Sequence, residues 1–404
     1  MTAARRPAAR RTPGVLAAAA AGIAALALVA CGGGGGTQVD DTSLSQGDWT
    51  WALPQSMPLP RVPASNPMSR AKVALGRFLF HDRRLSGNGL QSCGDCHLQA
   101  RAFTDGRRTA VGSTGDVHPR NSQGLANVAW NATLTWANPA LTELEQQMLV
   151  PLFGTNPVEM GLTNANLPIV LQRLREEPRY PAMFAAAFPG EADPWTLANV
   201  VKAIASFQRS LVSIDSRYDR WQRGAATLTA SELRGLNLFN SERAECFHCH
   251  VGFNFNDQVV HAGTTQLRTP FHNTGLYNVD GLGGYPGDNL GLITQTAVAS
   301  DMGKFRAPSL RNVAVTAPYA HDGSVATLED VLDNYAAGGR FIPAGQPHAG
   351  DGRLNPYKSD LIPVIRLDAQ DKADIVAFLR TLTDDTFLSN PDHANPFDTA
   401  ASAP

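Results

Sequence analysis

Residues 92–106 read SCGDCHLQARAFTDG and residues 245–255 read ECFHCHVGFNF, so the run Cys-x-x-Cys-His occurs twice in the chain. This run is the attachment signature of a c-type haem, in which two thiols add to the vinyl groups and the adjacent histidine binds iron. The alternatives are a zinc site, a thioredoxin-like redox pair and two structural disulfides. Zinc does not require a histidine at that place twice, and a thioredoxin motif needs a βαβ context that is missing. The pattern therefore predicts two covalent haems.

Of the five cysteines in the chain, four belong to these runs. The expected haem-attachment residues are Cys93, Cys96 and His97 in the first run and Cys246, Cys249 and His250 in the second. The two histidines that end the runs are the expected proximal iron ligands. His248, inside the second run, is expected to face solvent.

The N-terminus predicts export. Residues 1–11 are basic, residues 14–30 form an apolar run too short and too rich in alanine for a convincing membrane span, and Cys31 follows a small residue. This pattern is typical of a lipoprotein signal peptide over residues 1–31, with lipid on the cysteine and a flexible glycine-rich tether over residues 32–50. Secretion without lipid is the alternative. Because glycine and not aspartate follows Cys31, we expect a periplasmic protein anchored to an outer membrane.

The part of the 404-residue chain that follows the predicted signal peptide and tether is long enough for two domains. The chain has 34 lysines and arginines and 36 aspartates and glutamates, which gives a formal net charge of -2. No basic run occurs after the predicted signal peptide. Nothing therefore indicates a nucleic-acid partner. Membrane contact is expected through the lipid anchor only, and 36 Gly with 27 Pro predict long loops.

Apolar residues recur at helical spacing. One stripe consists of Leu197, Val200, Ile204, Phe207 and Leu211, and another of Ile375, Phe378, Leu379 and Leu382. Residues 69–80 and 229–239 precede the two Cys-x-x-Cys-His runs and both end in Leu-Phe, and Thr229 with Glu232 predicts a capping box.

Strand alternation is scarce, so the expected fold class is mainly α with long irregular loops. It is interpreted as two cytochrome c-like domains, residues 51–215 and 216–388, each with one haem, before a tail over residues 389–404. The boundary is expected within residues 213–225, where charge and glycine content fit a linker.

Five stretches resemble bacterial di-haem cytochrome c peroxidases and their MauG-type relatives, in order and at similar spacing over residues 55 to 385. They are RLSGNGLQSCGDCH (84–97), AFTDG (102–106), NPVEMG (156–161), FRAPSLRNVAVTAPYAHDGS (305–324) and TLEDVLDNYAAGG (327–339). Within this superfamily, VGSTGDVHPRNS (111–122), TWANP (135–139), ECFHCHVGFNF (245–255) and FHNTGLYN (271–278) look most like the MbnH group.

The resemblance implies an enzyme that uses hydrogen peroxide to form high-valent iron shared by two c-type haems. Its implied substrate is a tryptophan of a periplasmic partner, such as an MbnP-like copper-binding protein, converted to kynurenine by long-range electron transfer. One rival is a di-haem peroxidase that takes electrons from a cytochrome c or cupredoxin. Another is a non-enzymatic electron-transfer dihaem cytochrome.

The resemblance also implies residue roles around the haems. Glu159 matches the distal acid that moves a proton on peroxide, and Gln147 matches the distal glutamine, with Gln146 as a competitor. Trp136 matches the tryptophan that bridges the two haems.

Two positions depart from the electron-accepting peroxidases. Tyr335 stands where those enzymes have a methionine ligand to the second haem, as in MauG, and an anionic phenolate favours ferric and higher-valent iron. Ser113 stands where peroxidases that rest inactive carry a blocking histidine, so the first haem is expected to be open. His118 lies close by but out of register, and is interpreted as a surface loop residue.

A calcium site is implied between the domains. Asn121 and the backbone oxygens of Thr316 and Pro318 match the calcium ligands of the family, and hard oxygen ligands suit that ion. Ordinary turn chemistry around Pro318 is the alternative.

Overall fold

The computed structural model describes residues 45, 46 and 48–398. The predicted signal peptide, the lipid attachment at Cys31 and most of the predicted tether lie outside these residues. The end of the tether segment forms a short hairpin, in which β1 (Ser45–Gln46) pairs antiparallel with β2 (Trp49–Thr50). In the part of the chain that is described, no helix is long and apolar enough to cross a membrane.

Helices carry most of the regular structure. They are α1 (Arg70–His81), α2 (Cys93–Cys96), α3 (Leu144–Gln147), α4 (Leu149–Phe153), α5 (Leu167–Arg175), α6 (Tyr180–Ala187), α7 (Leu197–Arg209), α8 (Arg217–Gln222), α9 (Ala230–Phe239), α10 (Ile293–Thr296), α11 (Leu328–Ala336), α12 (Ala369–Arg380) and α13 (Asp385–Ser389). A second small hairpin joins β3 (Phe341–Ile342) to β4 (Gly350–Asp351). Long irregular segments connect these elements, which confirms the predicted mainly α chain with long loops.

Two helix pairs cross closely in the same manner. Where α1 meets α7, a Cβ atom on Gly76 would lie 1.9 Å from the backbone oxygen of Ala203. Where α9 meets α12, a Cβ atom on Gly235 would also lie 1.9 Å from a backbone oxygen, that of Asp374. Because interiors are close-packed, any larger side chain would push the helices apart. The weak internal repeat in the sequence thus corresponds to a repeated helix crossing.

Aromatic packing beside the two crossings repeats as well. The ring centroids of Phe80 and Phe207 lie 5.2 Å apart, and those of Phe239 and Phe378 are also separated by 5.2 Å. Both pairs are tilted or edge-on with an interplanar angle of 60°, a favoured arrangement for aromatic rings.

Each crossing lies in its own hydrophobic core, and the predicted apolar stripes line these cores. In the α7 stripe, Val200, Ile204, Phe207 and Leu211 are completely buried, and the α12 stripe is buried in the second core. The predicted capping box of α9 is confirmed, since Thr229 and Glu232 exchange side-chain to backbone hydrogen bonds. The cores match two domains in number. The predicted ranges, residues 51–215 and 216–388, stay predictions, and Phe387, inside the second range, packs in the first core.

The segment predicted to contain the boundary is ordered by specific bonds. It includes α8, whose first turn has a capping box between Ser216 and Asp219. The same aspartate forms a buried ion pair with Arg311 at 2.9 Å, and the backbone nitrogen of Tyr218 donates to the oxygen of Thr381. This segment therefore packs against the second core.

The C-terminal segment returns to the first core. Phe387 of α13 is buried there, and its ring centroid lies 5.7 Å from that of Phe103. Further along, Arg77 donates to the backbone oxygen of Ala394, and the ring of Phe397 contacts that of Phe78. Much of the stretch predicted to be a tail therefore packs on α1.

Candidate haem sites

The histidines of the two Cys-x-x-Cys-His runs are oriented by equivalent bonds. The Nδ1 atom of His97 lies 2.7 Å from the backbone oxygen of Phe103, and that of His250 lies 3.0 Å from the oxygen of Phe255. Both phenylalanines adopt positive φ, 64° and 50°, which is uncommon for a bulky residue. Burial lowers the pKa of both histidines, which keeps the imidazoles neutral. With Nδ1 occupied, Nε2 is the atom that can bind a metal.

A cavity of about 230 Å³ adjoins the second run. Cys246, Cys249, His250 and Tyr335 all line it. The rest of its lining is largely apolar and includes Phe239, Leu328, Leu332, Ile375 and Leu379. A covalently attached haem requires two free thiols, a histidine with an available Nε2 atom and an apolar wall, and this cavity has all three.

Arg306 adds a polar feature to the same cavity. It is buried, and its Nε and Nη1 atoms have no hydrogen-bond partner in the described residues. Burial lowers its pKa to about 10, so the guanidinium is still charged at neutral pH. A buried cation without an anion is unfavourable, and the carboxylates of a haem would supply that anion. The residues of the second site therefore fit a c-type haem.

Tyr335 is presented by α11, whose N-terminus is fixed by a capping box between Thr327 and Asp330. Burial raises the pKa of the Tyr335 phenol, and the nearby Cys249 and Cys246 raise it further. The structure thus places the predicted tyrosine ligand in the same cavity as the second pair of cysteines. Its bond to iron stays a prediction.

The first run has a similar local structure. Cys93 and Cys96 begin and end α2, which is capped by Ser92 and Asp95. Gln91 donates to the Sγ atom of Cys96 at 3.2 Å. Burial raises the pKa of Cys93 to about 12 and that of Cys96 to about 11, and the charge of Glu159 contributes to both shifts. The predicted distal acid therefore lies near the first pair of thiols.

Glu159 is held by the loop that contains Ser113 and His118. The backbone nitrogen of Ser113 donates to the oxygen of Glu159 at 2.7 Å, and the Nε2 atom of His118 lies 3.5 Å from the carboxylate. Burial raises the pKa of Glu159 to about 7. His118 was expected on the surface, but its side chain is only 26% exposed. Its contact with the acid could not be read from its position along the loop.

The distal glutamine predicted at this site belongs to a short helix, α3. Gln147 ends α3 and is half-buried, whereas Gln146 is exposed. The backbone nitrogen of Met160 donates to the oxygen of Pro151 at 2.9 Å, which ties the Glu159 segment to α4, the helix that begins two residues after Gln147. Gln147 as the distal amide stays a prediction, with Gln146 as its competitor.

Trp136 borders two cavities. It lines the cavity of the second run and also a separate cavity of about 90 Å³. Asn121, Thr316 and Pro318, the three predicted calcium-binding residues, all line this smaller cavity. The structure therefore brings the predicted bridging tryptophan and the predicted calcium ligands together around one cavity.

The Nε2 atom of His248 lies 2.8 Å from a carboxylate oxygen of Glu245 and 3.3 Å from one of Glu242. Its side chain is 29% exposed and is not among those that line the second cavity. His248 is therefore only partly exposed, and its expected absence from the iron ligands stays a prediction.

Sequence reasoning missed buried polar groups around the second cavity. His321 stacks on Phe305 with ring centroids 3.6 Å apart, and its Nε2 atom has no partner in the described residues. Burial lowers its pKa to about 4, so it is neutral at physiological pH. The His-Asp-Gly sequence at residues 321–323 was a signal, but residue spacing could not reveal that the ring is buried.

Comparisons with known proteins agree with this geometry. A family model described as di-haem cytochrome c peroxidase matches residues 70–227. The methylamine utilization protein MauG of Methylorubrum extorquens is 34% identical over 81% of this chain and 82% of its own length. Cytochrome-c peroxidase IdrP1 of Denitromonas iodatirespirans is 37% identical over 81% of this chain and 85% of its own. A crystal structure of a MauG-like protein associated with microbial copper homeostasis is 55% identical, with TM-score 0.85, and covers 86% of this chain and 99% of that one.

Proposed function

Because this chain belongs to the di-haem cytochrome c peroxidase and MauG family and is a peroxidase-type oxidoreductase, we propose that it oxidises a tryptophan of a partner protein to kynurenine. The family implies two haem c groups, which when bound take two oxidising equivalents from hydrogen peroxide. We assign them to Cys93, Cys96 and His97, and to Cys246, Cys249 and His250.

The observation that carries this proposal is the position of Tyr335 in the cavity of the second run. Among the described residues that line this cavity there is a tyrosine on α11 and no methionine. A methionine ligand raises the haem potential and suits electron uptake from a high-potential donor protein, whereas a phenolate donates charge to iron. Tyr335 therefore supports retention of an oxidising equivalent at the second site, as oxidation of a protein partner requires.

The residues of the first site suit proton handling. A carboxyl group with a pKa of about 7 can accept a proton from peroxide and return it to the departing oxygen at neutral pH. Gln147 would orient peroxide through its amide. Ser113 offers no imidazole to block the site, which supports direct access for peroxide.

Trp136 would relay oxidising equivalents between the sites, because its indole borders the cavity of the second run and adjoins the predicted calcium site. A partner side chain would then be oxidised at a distance, with no need to enter the first site. The 55% identical structure is associated with copper homeostasis, which supports a copper-binding, MbnP-like partner. Export, lipidation of Cys31 and outer-membrane anchoring remain part of the same proposal.

The test combines the purified holoprotein, hydrogen peroxide and an MbnP-like copper-binding protein as the partner. We expect mass spectrometry to locate one tryptophan of the partner converted to kynurenine, dependent on peroxide. If the partner stays intact while reduced cytochrome c or cupredoxin is oxidised at a catalytic rate, the protein is an electron-accepting peroxidase instead.

A further inference from the structure

Aromatic rings lead from the second haem site towards the protein surface. Tyr285 lines the cavity of the second run, and its ring centroid lies 5.5 Å from that of Tyr277. The Tyr277 ring in turn lies 5.8 Å from the ring of His348. Both separations are those of aromatic rings in contact, about 4.5–7 Å. The two tyrosines are buried, so the rings form a continuous path through the protein interior.

Tyr277 has a proton acceptor that Tyr285 lacks. Its hydroxyl donates to the Oδ2 atom of Asp322 at 2.6 Å. Burial acts to raise the pKa of Asp322, but His321 and hydrogen bonds from Tyr277 and Ser324 hold it below its ordinary value, so the carboxylate is ionised at neutral pH. Since oxidation of a phenol releases its proton, this contact favours oxidation of Tyr277. The hydroxyl of Tyr285 donates to an amide oxygen, that of Asn273, which is not a base.

A surface cavity of about 350 Å³ lies on the outer side of Tyr277. Its apolar walls are formed by Phe341, Ile342, Pro343 and Pro347. Arg108 and Arg340 also line it, and neither forms an ion pair with a carboxylate in the described residues. The volume is within the usual range for ligand pockets, about 300–1,000 Å³. An aromatic side chain flanked by acidic residues would match both the walls and the charges.

We propose that Tyr277, with Asp322 as its proton acceptor, is a redox-active tyrosine that passes oxidising equivalents to an aromatic side chain of an acidic partner segment bound in this surface cavity. The inference rests on the proposed function for its oxidant, hydrogen peroxide acting at the haem sites. In each transfer Tyr277 gives one electron towards the second site and its phenolic proton to Asp322. It then regains one electron from the partner ring and the proton from Asp322. Two transfers remove two electrons from the partner, as many as one hydrogen peroxide accepts, so the four-electron oxidation of tryptophan to kynurenine consumes two hydrogen peroxides.

The chain offers a matched control for this tyrosine. In the first core, the hydroxyl of buried Tyr180 also donates to a carboxylate at 2.6 Å, that of Asp82. Tyr180→Phe therefore removes the same kind of bond, away from the path to the surface cavity. Asp322→Asn is a second test variant, because it keeps a hydrogen-bonding side chain and removes the base.

The first experiment adds hydrogen peroxide to each holoprotein without any partner and records electron paramagnetic resonance spectra. We expect the unmodified protein to give the signal of a tyrosyl radical, and this signal should narrow when the protein contains ring-deuterated tyrosine. The signal should be retained in Tyr180→Phe, lost in Tyr277→Phe and mostly lost in Asp322→Asn. Optical haem spectra verify that each variant is folded and loaded. A radical that persists in Tyr277→Phe overturns the assignment, as does its absence from the unmodified protein when peroxide has altered the haem spectrum.

The second experiment tests the surface cavity with a probe peptide that carries one tryptophan between glutamates, and with its lysine counterpart. We expect the acidic peptide alone to bind, and Arg108→Glu to abolish binding. Equal binding of both peptides, or no effect of Arg108→Glu, overturns the docking site. Because the radical measurement contains no partner, it can succeed where kynurenine formation fails, so the failures of this inference and of the proposed function are distinguishable.

Discussion

The indole nitrogen of Trp136 donates a hydrogen bond to the backbone oxygen of Asn121 at 3.0 Å. The backbone oxygen of Trp136 accepts a second hydrogen bond, from the backbone nitrogen of Arg306, at 2.9 Å. The side chain and the backbone of Trp136 are thus both held by hydrogen bonds, one to a predicted calcium-binding residue and the other from the backbone of Arg306. This rigid placement is what a relay between two sites needs, because its ring must keep a constant distance from both.

Replacing Trp136 by phenylalanine should interrupt this relay. We expect Trp136→Phe to bind peroxide at the first site as before, but to respond weakly at the second site and to form little kynurenine in the partner. Stopped-flow optical spectra and mass spectrometry of the partner measure these effects. Trp221→Phe, which lies in the second core and does not line the cavity, is the control. A Trp136→Phe protein that modifies its partner at the normal rate, with an unresponsive second site, would favour direct chemistry at the first site.

The predicted calcium site gives an independent prediction. The amide nitrogen of Asn121 donates to the backbone oxygen of Arg107 at 2.8 Å, which leaves the amide oxygen to bind a cation. We expect one tightly bound calcium, weakened by Asn121→Ala, and reduced communication between the haems after chelation. Metal analysis and calcium titration measure binding. If the protein dialysed against calcium contains none, ordinary turn structure explains these residues.

Acid-base chemistry at Glu159 should set a pH dependence. With a pKa raised by burial to about 7, the carboxyl is protonated below that pH and can accept the peroxide proton only above it. The rate of the optical change after peroxide addition should therefore rise as pH increases through about 7. Glu159→Gln should lose this step and react at least ~100-fold more slowly, the scale expected for a general acid-base group.

His118→Gln provides the control for that prediction. Its contact with Glu159, at 3.5 Å, is long for a hydrogen bond, and burial lowers the pKa of the imidazole. The variant should therefore keep the pH step of the unmodified protein. An unchanged rate in Glu159→Gln, or a pH step that disappears only in His118→Gln, would show that Glu159 is not the distal acid.

The close helix crossing predicts a stability effect. A Cβ atom on Gly76 would lie 1.9 Å from the backbone oxygen of Ala203, so Gly76→Ala must separate α1 from α7. Overpacking of this kind costs about 1–3 kcal/mol or more of unfolding free energy. Gly287 is exposed with open space around its Cβ position, so Gly287→Ala should be neutral. Equal denaturation midpoints for the two variants would mean that the crossing tolerates a methyl group.

The local patterns of the sequence predicted local structure well. The helical stripes of α7 and α12, the capping box at Thr229 and the paired Cys-x-x-Cys-His runs depend on neighbours along the chain, and the structure has them as expected. The contact of His118 with Glu159 and the bond between Tyr277 and Asp322 join distant residues. No periodicity encodes such contacts, because they arise only when long loops pack over the cores.

The return of the C-terminal segment to the first core escaped the sequence for the same reason. Phe387 and Phe397 are isolated aromatic residues among polar ones, without the regular spacing that marks an amphipathic helix. Their partners, Phe103 and Phe78, lie about 300 residues earlier and could be found only in three dimensions. Site roles such as those of Glu159 and Trp136 came from resemblance to a family. The structure then places Glu159 near the first pair of thiols and Trp136 beside the cavity of the second run.

The ligand of the second haem iron is the most direct test of the proposed enzyme. Electron paramagnetic resonance and near-infrared magnetic circular dichroism of the ferric holoprotein should show one high-spin, five-coordinate haem and one low-spin haem with histidine and tyrosine ligands. Tyr335→Phe should convert the low-spin signal to high spin and leave the other unchanged. Two low-spin haems, one with the signature of methionine ligation, would contradict the role of Tyr335 and favour an electron-accepting peroxidase.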